Sequence, residues 1–356
     1  MIMKSIYQFL LSFGVFSKKV RRSMLRLRLA SIFVIFSIGA SAAPIVTDVV
    51  AKQRYPWKGL VDITCEVSGV DEVAGDLKFD MAAVMPDSGN IRKVSQFWVV
   101  NNGMNLTDCN VYSNGGYRLL WDAQTELGAV EYSNMVIRIS VVVVHGKVQL
   151  WKGGPYWADR NIGAENSEDY GYYFWWGDTI GYKWENNAWV ATDGSSSYFS
   201  FDCHNTPTYN KSNATMKDEG WITAYSVLVP EHDAAHAHWG GSWRMPTSQE
   251  LSDLISKCSW SWTTQNGVPG YEVRGKGAYA SASIFLPCSG ASRDDGTSSS
   301  FVGSGSSGYY WSSVSHSDDN ERFDACGFLI TSYRHSVLNY RRSLGFSVRP
   351  VQGLTE

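Results

Sequence analysis

One stretch of this sequence has the periodicity of an amphipathic helix, and that periodicity constrains the residues around it. Residues 244–258, RMPTSQELSDLISKC, carry apolar side chains at intervals of three and four, namely Leu251, Leu254, Ile255 and Cys258. Thr247 and Glu250 have the spacing of a capping box, which predicts the first turn of the helix. Because a helix with one apolar face must bury that face, we expect it to pack on a sheet.

Residues 43–146 show a different pattern, in which short segments alternate apolar and polar side chains. In LVDITCEV, residues 60–67, four apolar side chains should point to one side of a strand: Val61, Ile63, Cys65 and Val67. GGYRLLWDA (115–123) and MVIRISVVVV (135–144) have the same character, and Gly, Asn, Asp and Pro separate the segments. This spacing predicts an all-β sandwich.

The first 42 residues have the organisation of a secretory signal peptide. Seven basic residues and no acidic residue accompany an apolar run, Leu29 to Gly39, which Ala40, Ser41 and Ala42 follow. We therefore predict cleavage after Ala42 and an exported protein, extracellular or on the cell surface, with the periplasm as another compartment. The apolar run is too short for a permanent membrane span. A start at Met24 and an uncleaved anchor are alternatives.

The charge balance argues against two classes of partner. The chain has 31 basic and 34 acidic residues, so without the seven leader charges it has 24 against 34, a net charge near −10. Nucleic acid and anionic membrane surfaces both require a basic footprint. We expect neither as a partner.

Six cysteines suggest disulfides in an exported chain. They are Cys65, Cys109, Cys203, Cys258, Cys288 and Cys326. None forms a C-x-x-C pair, which argues against a structural zinc site. An even number of cysteines outside the cell predicts up to three disulfides. Cys65 with Cys109 is the first expected pair, and the other four permit three pairings that remain open.

After Lys147 the sequence becomes dense in Gly and aromatic residues. Its end, SLGFSVRPV (343–351), alternates Leu344, Phe346 and Val348 and predicts a closing strand. The expected partner of that strand is the first strand of this domain, around residues 148–151. A domain with paired ends, one or two helices and long irregular loops has an α+β architecture.

Five motifs in this part together resemble one family. They are LWKGGPYWADRNIGAENSEDYGYYFWWGDT, DAAHAHWGGSWRMPTSQELSDLISKCSWSWTTQNGVPGYEVRG, SIFLPCSG, GYYWSS and GFSVRPV. They resemble the Fibrobacter succinogenes major paralogous domain, which looks related to the C-type lectin-like fold. The resemblance implies such a domain at 147–356. Residues 43–146, with AKQRYPWKGLVDITCEV and YRLLWDA, resemble the immunoglobulin-like module that often precedes it.

Two departures from the family pattern change what the resemblance implies. The usual FLPAAG is FLPCSG here, which suggests a disulfide from Cys288, with Cys326 as a partner. The Glu-Pro-Asn or Gln-Pro-Asp and Trp-Asn-Asp signatures of calcium-dependent lectins are absent from the sequence. Calcium-mediated sugar binding of that kind is therefore not expected.

The densest group of potential metal ligands is in EHDAAHAHW, which contains Glu231, His232, Asp233, His236 and His238. On a helix His232 and His236 would share a face, which suits a metal. The resemblance instead aligns this segment with a scaffold turn, so we predict no metal and no cofactor.

Catalysis is not expected either. The sequence has no G-x-S-x-G elbow, and oxidised cysteines would not act as nucleophiles. The alternatives are an enzyme related to formylglycine-generating proteins or a structural surface module.

Ligand binding is predicted near the end of the chain. By resemblance, the segment after GYYWSS and the segment 331–340 lie on the face that C-type lectin-like domains use for ligands. Rings and small polar groups are typical of recognition surfaces, although plain polar loops have a similar composition. The predicted ligand-binding residues are Tyr309, Ser315, His316, Asp319, Asn320, Arg322, Tyr333, Arg334, His335, Asn339 and Tyr340. The expected partner is a glycan or a cell-surface protein.

The residue types of SVSHSDDN and TSYRHSVLNY suggest a further hypothesis. Ser, His, Asp, Asn, Thr, Tyr and Arg are all reached from AAC or AAT codons by changing adenines alone, as in targets of diversity-generating retroelements. These segments are therefore a candidate diversified patch, although exposed loops favour the same residues.

Overall fold

The computed structural model describes residues 27–34, 44–54, 59–73, 75–84, 91–101, 104–106, 109–128, 132–195, 206–292, 301–316 and 323–353. The chain divides into two compact units, residues 1–145 and 146–356. Strands predominate over helices in both units. The fold is therefore β-rich and multidomain, as the sequence predicted.

The described part of unit 1 contains two sheets and one short α-helix. Its elements are β1 (Leu27–Val34), β2 (Ile45–Gln53), β3 (Leu60–Ser68), β4 (Gly75–Val84), β5 (Ile91–Lys93), β6 (Phe97–Asn101), β7 (Met104–Leu106), β8 (Asn110–Val111), β9 (Gly115–Asp122), α1 (Ala123–Leu127) and β10 (Tyr132–Gln149), which continues into unit 2. One sheet has the order β2-β3-β9-β6-β7. In the other, β4 pairs with β5, β8 and β10, and β1 pairs with β10.

The two sheets of unit 1 share one hydrophobic core. Val61 and Ile63 of β3, Met81 of β4 and Ile137 of β10 are fully buried in a single cluster. Both sheets therefore direct apolar side chains into the same interior. Along β3 buried residues alternate with more exposed ones, which confirms the predicted strand and its inward face.

The strand β1 lies within the predicted signal peptide. It pairs with β10 in parallel, with Leu29 opposite Met135 and Val34 opposite Ile139. Cleavage after Ala42 would remove this strand and leave its side of β10 as a sheet edge. The signal peptide stays a prediction. Among the described residues, no helix is long and apolar enough to cross a membrane.

Within its described residues, unit 2 contains three α-helices and many short strands. The strands are β11 (Tyr156–Ala158), β12 (Tyr173–Phe174), β13 (Tyr182–Glu185), β14 (Ala188–Ala191), β15 (Trp243–Arg244), β16 (Ser259–Gln265), β17 (Val268–Arg274), β18 (Ser283–Pro287), β19 (Ala291–Ser292), β20 (Phe301–Val302), β21 (Ser307–Ser315), β22 (Asp324–Thr331), β23 (Arg334–Arg341), β24 (Phe346–Ser347) and β25 (Val351–Gln352). The helices are α2 (Asn213–Asp218), α3 (Ala234–Trp239) and α4 (Ser248–Lys257).

The sheets of unit 2 bring distant segments together. The largest has the order β14-β13-β12-β24-β21-β22-β23, so β23 is an edge strand. A three-stranded sheet, β16-β17-β18, follows α4 along the chain, and β19 pairs with β20. The end of β10 continues through β11 and β25 to β15.

The predicted pairing of the chain end with residues 148–151 is wrong in detail. Val148 pairs with Trp157 of β11, and Trp157 pairs with Val351 of β25. A tight turn, in which Gly153 has a φ of 73°, folds the chain back and places β11 between the two expected partners. The ends of the domain therefore share a sheet without touching directly.

The predicted helix is confirmed as α4. Thr247 and Glu250 form the capping box, each accepting a hydrogen bond from the other's backbone N–H. Leu251 and Leu254 are buried in one cluster with Leu286 of β18 and Phe328 of β22. The helix therefore packs its apolar face onto strands, as expected from its period.

Both specified disulfide predictions are wrong, because no disulfide joins the five described cysteines. Cys109 Sγ donates to the Phe97 carbonyl of β6, whereas Cys65 lies on β3 with β9 between these strands. The two spacings of about 4.8 Å that separate β3 from β6 add up to more than the Cα–Cα distance of about 7 Å that a disulfide can bridge.

The pair Cys288 and Cys326 is separated along β21. The Cys288 carbonyl accepts from Gly305 N, before the strand begins, and the Cys326 carbonyl accepts from Ser312 Oγ, near its far end. Gly290, two residues after Cys288, forms a β-bridge with Gly308, so about four residues of extended chain, roughly 13 Å, separate the two positions along β21. Cys203 lies outside the described residues.

Candidate ligand-binding surface

The β22–β23 hairpin divides the predicted ligand-binding residues between two faces. Side chains alternate along β23, so Arg334 and Tyr340 point to one face, while His335 and Asn339 point to the other. The strand order leaves β23 at the edge of its sheet. The predicted set is therefore not one continuous patch.

On the first face Tyr340 belongs to an aromatic cluster. Its ring centroid lies 5.8 Å from that of Tyr309 and 5.1 Å from that of Phe346, both edge to face. Burial raises the pKa of the Tyr340 hydroxyl to about 12, with smaller effects from Tyr309 and Arg334. Tyr309 and Tyr340 are half-buried, so much of their ring surface is already used in packing.

On the second face His335 stacks on Trp260 of β16. The ring centroids are 4.5 Å apart and the planes differ by 9°. Tyr271 of β17 meets His335 edge to face at 5.6 Å, and it meets Trp262 in the same way at 5.2 Å. We call Trp260, Trp262, Tyr271 and His335 the aromatic patch.

The patch is partly open and contains one imidazole, that of His335. Trp262 keeps 38% of its surface exposed. Burial lowers the pKa of His335, so its imidazole is neutral at pH 7. Its Nδ1 atom is buried and has no hydrogen-bond partner in the described part of the chain. The patch therefore combines exposed ring surface with a neutral imidazole whose buried Nδ1 is unpaired within the described residues.

The β16–β17 hairpin holds the patch in place. Trp262 lies directly opposite Tyr271 in the antiparallel register, so both project from the same side. Beyond them, the tip of the hairpin is tied to a distant loop, because Gln265 Nε2 donates to Ser167 Oγ at 2.6 Å and Asn266 donates to the Glu168 carboxylate. The two tryptophans therefore project from an anchored hairpin.

Two predicted residues lie in and directly after the β22–β23 turn and are exposed. Tyr333 is 86% exposed, which leaves almost its whole ring in solvent. Arg334 is also exposed, and its Nε donates to Ser336 Oγ at 2.9 Å. Arg334 points to the face opposite His335, so it does not border the aromatic patch.

Other predicted residues support the fold. Ser315 is buried, and its Oγ lies 2.7 Å from Asn213 Oδ1. The His316 carbonyl accepts from Asn213 Nδ2 at 2.7 Å. Ser315 thus faces α2 and not the solvent. Asp319, Asn320 and Arg322 lie outside the described residues.

The histidine-rich segment does not gather its side chains. His232 ends a short 3-10 turn and stacks on Trp221 at 3.7 Å, whereas His236 lies on α3 after the cap Asp233. His238 Nε2 lies 2.9 Å from the Thr179 carbonyl. The described residues contain no group of three or more metal-ligating side chains. The premise that His232 and His236 share one helix face is therefore wrong.

A cleft of about 520 Å³ lies beside this segment. Tyr225, Leu228, Pro230 and His236 line it, together with Asp233, whose carboxylate accepts from Met245 N at 2.8 Å. The size suits a small molecule. Its buried carboxylate is nevertheless fully engaged with backbone amides, which indicates a structural role.

Trp260, Trp262 and Tyr271 were not among the residues predicted to bind a ligand. The signal was present in SWSWTTQNGVPGY, where two tryptophans separated by one residue point to the same side of a strand. What the sequence could not show is that this side meets His335, which lies 75 positions after Trp260 in the chain.

Comparisons of the chain with protein-family models, with curated protein sequences and with solved structures found no match. The resemblance to the Fibrobacter succinogenes major paralogous domain therefore stays a prediction.

Proposed function

We propose that this chain is an exported, non-catalytic binding protein that recognises a carbohydrate through unit 2. The aromatic patch is the observation that carries the proposal. In this account unit 2 is a C-type lectin-like domain and unit 1 an immunoglobulin-like module, and the protein acts outside the cell or on its surface.

Stacking supports a carbohydrate ligand. The apolar face of a sugar ring matches a flat aromatic side chain, and 38% of Trp262 remains exposed for such contact. A neutral imidazole such as His335 then bonds a sugar hydroxyl as donor or acceptor. A few polar groups beside apolar ring surface set the orientation of a ligand in most small-molecule sites.

The polar chemistry around the patch supports binding over catalysis. The nearby carboxylate of Glu272 pairs with Arg274, and that of Glu168 accepts hydrogen bonds from Gln265 and Asn266. The hydrogen bond from Asn266, with those from Ser167 and Gln265, holds the pKa of Glu168 below its usual value, whereas a general acid at neutral pH requires a raised one. Recognition needs only the surface and the hydrogen bonds described above.

The test is a glycan array probed with residues 43–356 and with the double variant Trp262→Ala/His335→Ala. Both substitutions are at partly exposed positions, so the variant should fold, which circular dichroism checks. The matched control is Tyr225→Ala, which removes an 88% exposed ring elsewhere in unit 2. Wild type and control should bind the same glycans, and the double variant should lose them.

Different results would point elsewhere. If the wild type binds no glycan but binds intact gut bacteria after their glycans are removed, the ligand is a surface protein. If glycans bind the double variant as well as the wild type, the aromatic patch is not the site. Binding to nothing would favour a structural module or an enzyme.

A further inference from the structure

A second site lies at the other end of β23, in a cavity of about 220 Å³. Its lining residues are Thr206, Thr208, Tyr209, Phe323, Arg341, Arg342 and Ser343. Arg341 and His335 are six residues apart on β23, which places the cavity roughly 20 Å from the aromatic patch. The two sites are therefore separate.

Arg342 is the unusual member of this lining. Its side chain is almost completely buried, with 2% of the residue exposed. Nε donates to the Asp324 carbonyl and Nη1 to the Lys211 carbonyl, both at 3.0 Å. The guanidinium also lies over the Trp176 ring, 5.1 Å from its centroid. Nη2 donates to no acceptor in the described part of the chain.

No carboxylate forms an ion pair with this guanidinium among the described residues. The Asp324 carboxylate acts on it only through space, and Lys211 is paired with Glu219. Burial lowers the pKa of Arg342 to about 10, so the side chain still carries its charge at neutral pH. A buried charge without a counter-charge is costly, and proteins usually pair such groups.

Arg349 shows that burial alone does not create this situation. It is equally buried, yet Nε donates to Asn161 Oδ1, Nη1 to the Ala158 carbonyl and Nη2 to the Phe285 carbonyl. All three nitrogens of Arg349 are thus satisfied inside the fold. Arg342 differs because one nitrogen is left over beside a cavity.

A second buried group in the lining also lacks a partner. Thr206 is 4% exposed, and its Oγ1 atom has no hydrogen bond in the described part of the chain. Arg341 adds a second guanidinium that is exposed. The cavity thus presents two positive charges and an unused hydroxyl, and no carboxylate is among its described lining residues.

We propose that this cavity binds the anionic group of a ligand, a carboxylate or a sulfate, between the guanidinium groups of Arg342 and Arg341 and the hydroxyl of Thr206. Guanidinium groups form their strongest hydrogen bonds with such anions. The volume is below that of drug-sized sites and equals that of about seven water molecules. It fits one acidic substituent or one small acidic ring.

The experiment measures thermal stabilisation by sodium sulfate and by sodium glucuronate at constant ionic strength, with sodium chloride as reference. The variants are Arg341→Gln and Arg334→Gln, which each remove one exposed arginine from β23. Wild type and Arg334→Gln should show the same saturable rise in melting temperature. Arg341→Gln should bind at least about 10-fold more weakly, since it loses a charge-assisted hydrogen bond.

Two further variants separate binding from folding. Thr206→Val keeps the shape and charge of the cavity and should weaken binding several-fold. Arg342→Gln should abolish binding; if it does not fold, Arg341→Gln and Thr206→Val still decide the question. General stabilisation by sulfate acts equally on every variant, so only differences between variants count.

Saturable stabilisation by either anion supports the proposal, and the anion that binds more tightly indicates the chemical class of the ligand. Preference for glucuronate indicates an acidic sugar, and preference for sulfate indicates a sulfated or inorganic ligand. The proposal is wrong if neither anion stabilises the protein beyond chloride, or if Arg341→Gln and Arg334→Gln respond alike. Loss of glycan binding at the aromatic patch would leave this result unaffected.

Discussion

Replacing Glu250 by Ala should destabilise unit 2 more than any other single change in α4 outside its buried face. The Glu250 carboxylate accepts from Arg244 Nη1 at 2.8 Å and Nη2 at 2.6 Å, and from Thr247 N at 2.8 Å. Its side chain is 13% exposed and that of Arg244 is 18% exposed. One group thus caps the helix and neutralises a largely buried arginine.

The magnitude follows from those two roles. Loss of the cap contact costs about 1 kcal/mol. Removing one partner of a buried ion pair costs about 3–5 kcal/mol, and partial exposure here places the pair at the lower end. We expect Glu250→Ala to lower the free energy of unfolding by about 3–4 kcal/mol. Thr247→Ala loses only the cap and should cost about 1 kcal/mol.

The assay is urea unfolding at pH 7 followed by tryptophan fluorescence. Asp253→Ala is the matched control, because it removes an acidic side chain from the same helix that pairs with Lys257 at 2.9 Å on the surface. Such an exposed pair contributes about 0.5 kcal/mol or less. If Glu250→Ala and Asp253→Ala differ by under about 1 kcal/mol, the buried pair does not stabilise α4 as argued.

Three further outcomes are expected. Trp262 leaves 38% of its surface exposed, or roughly 95 Å² of the about 250 Å² of a tryptophan side chain. Trp262→Ala should therefore weaken glycan binding, measured by calorimetry, by about 2 kcal/mol or roughly 30-fold. The control Tyr225→Ala should leave glycan binding unchanged. Hydrogen bonds and charge from Arg54 and Arg118 lower the pKa of Asp62 to about 2. The stabilisation that this lowered pKa provides is complete above pH 4 and disappears as the pH falls through 2. Asp62→Asn should therefore lower the free energy of unfolding by about 1 kcal/mol at pH 7, after allowance for solvent screening. The difference between wild type and variant should vanish near pH 2. Thiol titration of the denatured protein without reductant should detect the five described cysteines; fewer would show that disulfides form.

Local features were predictable because their causes lie within a few residues. The alternation of Val61 and Ile63 gave a strand with the correct inward face, and the capping box of Thr247 and Glu250 gave the start of α4. Each depends on side-chain periodicity or on contacts between residues three positions apart. No distant partner is needed to produce either pattern.

Contacts between segments that are distant in the chain could not be predicted from the sequence. The insertion of β11 between residue Val148 and Val351 depends on a turn that the alternation of SLGFSVRPV does not reveal. The prediction placed Tyr340 and His335 on one exposed face, whereas the pleat of β23 directs them to opposite faces. Which face of β23 is open to a ligand depends on which other elements pack against its sheet.

The sequence by itself determined the β-rich, two-part organisation, the amphipathic helix and the supply of aromatic side chains. Only the tertiary structure decided that Trp260 meets His335 and that Arg342 is buried beside a cavity, with no carboxylate paired to it among the described residues. Periodicity reports which side of an element is apolar, because that is a property of consecutive residues. Which two surfaces meet, and which charge is left unpaired between them, follows from packing across the whole chain.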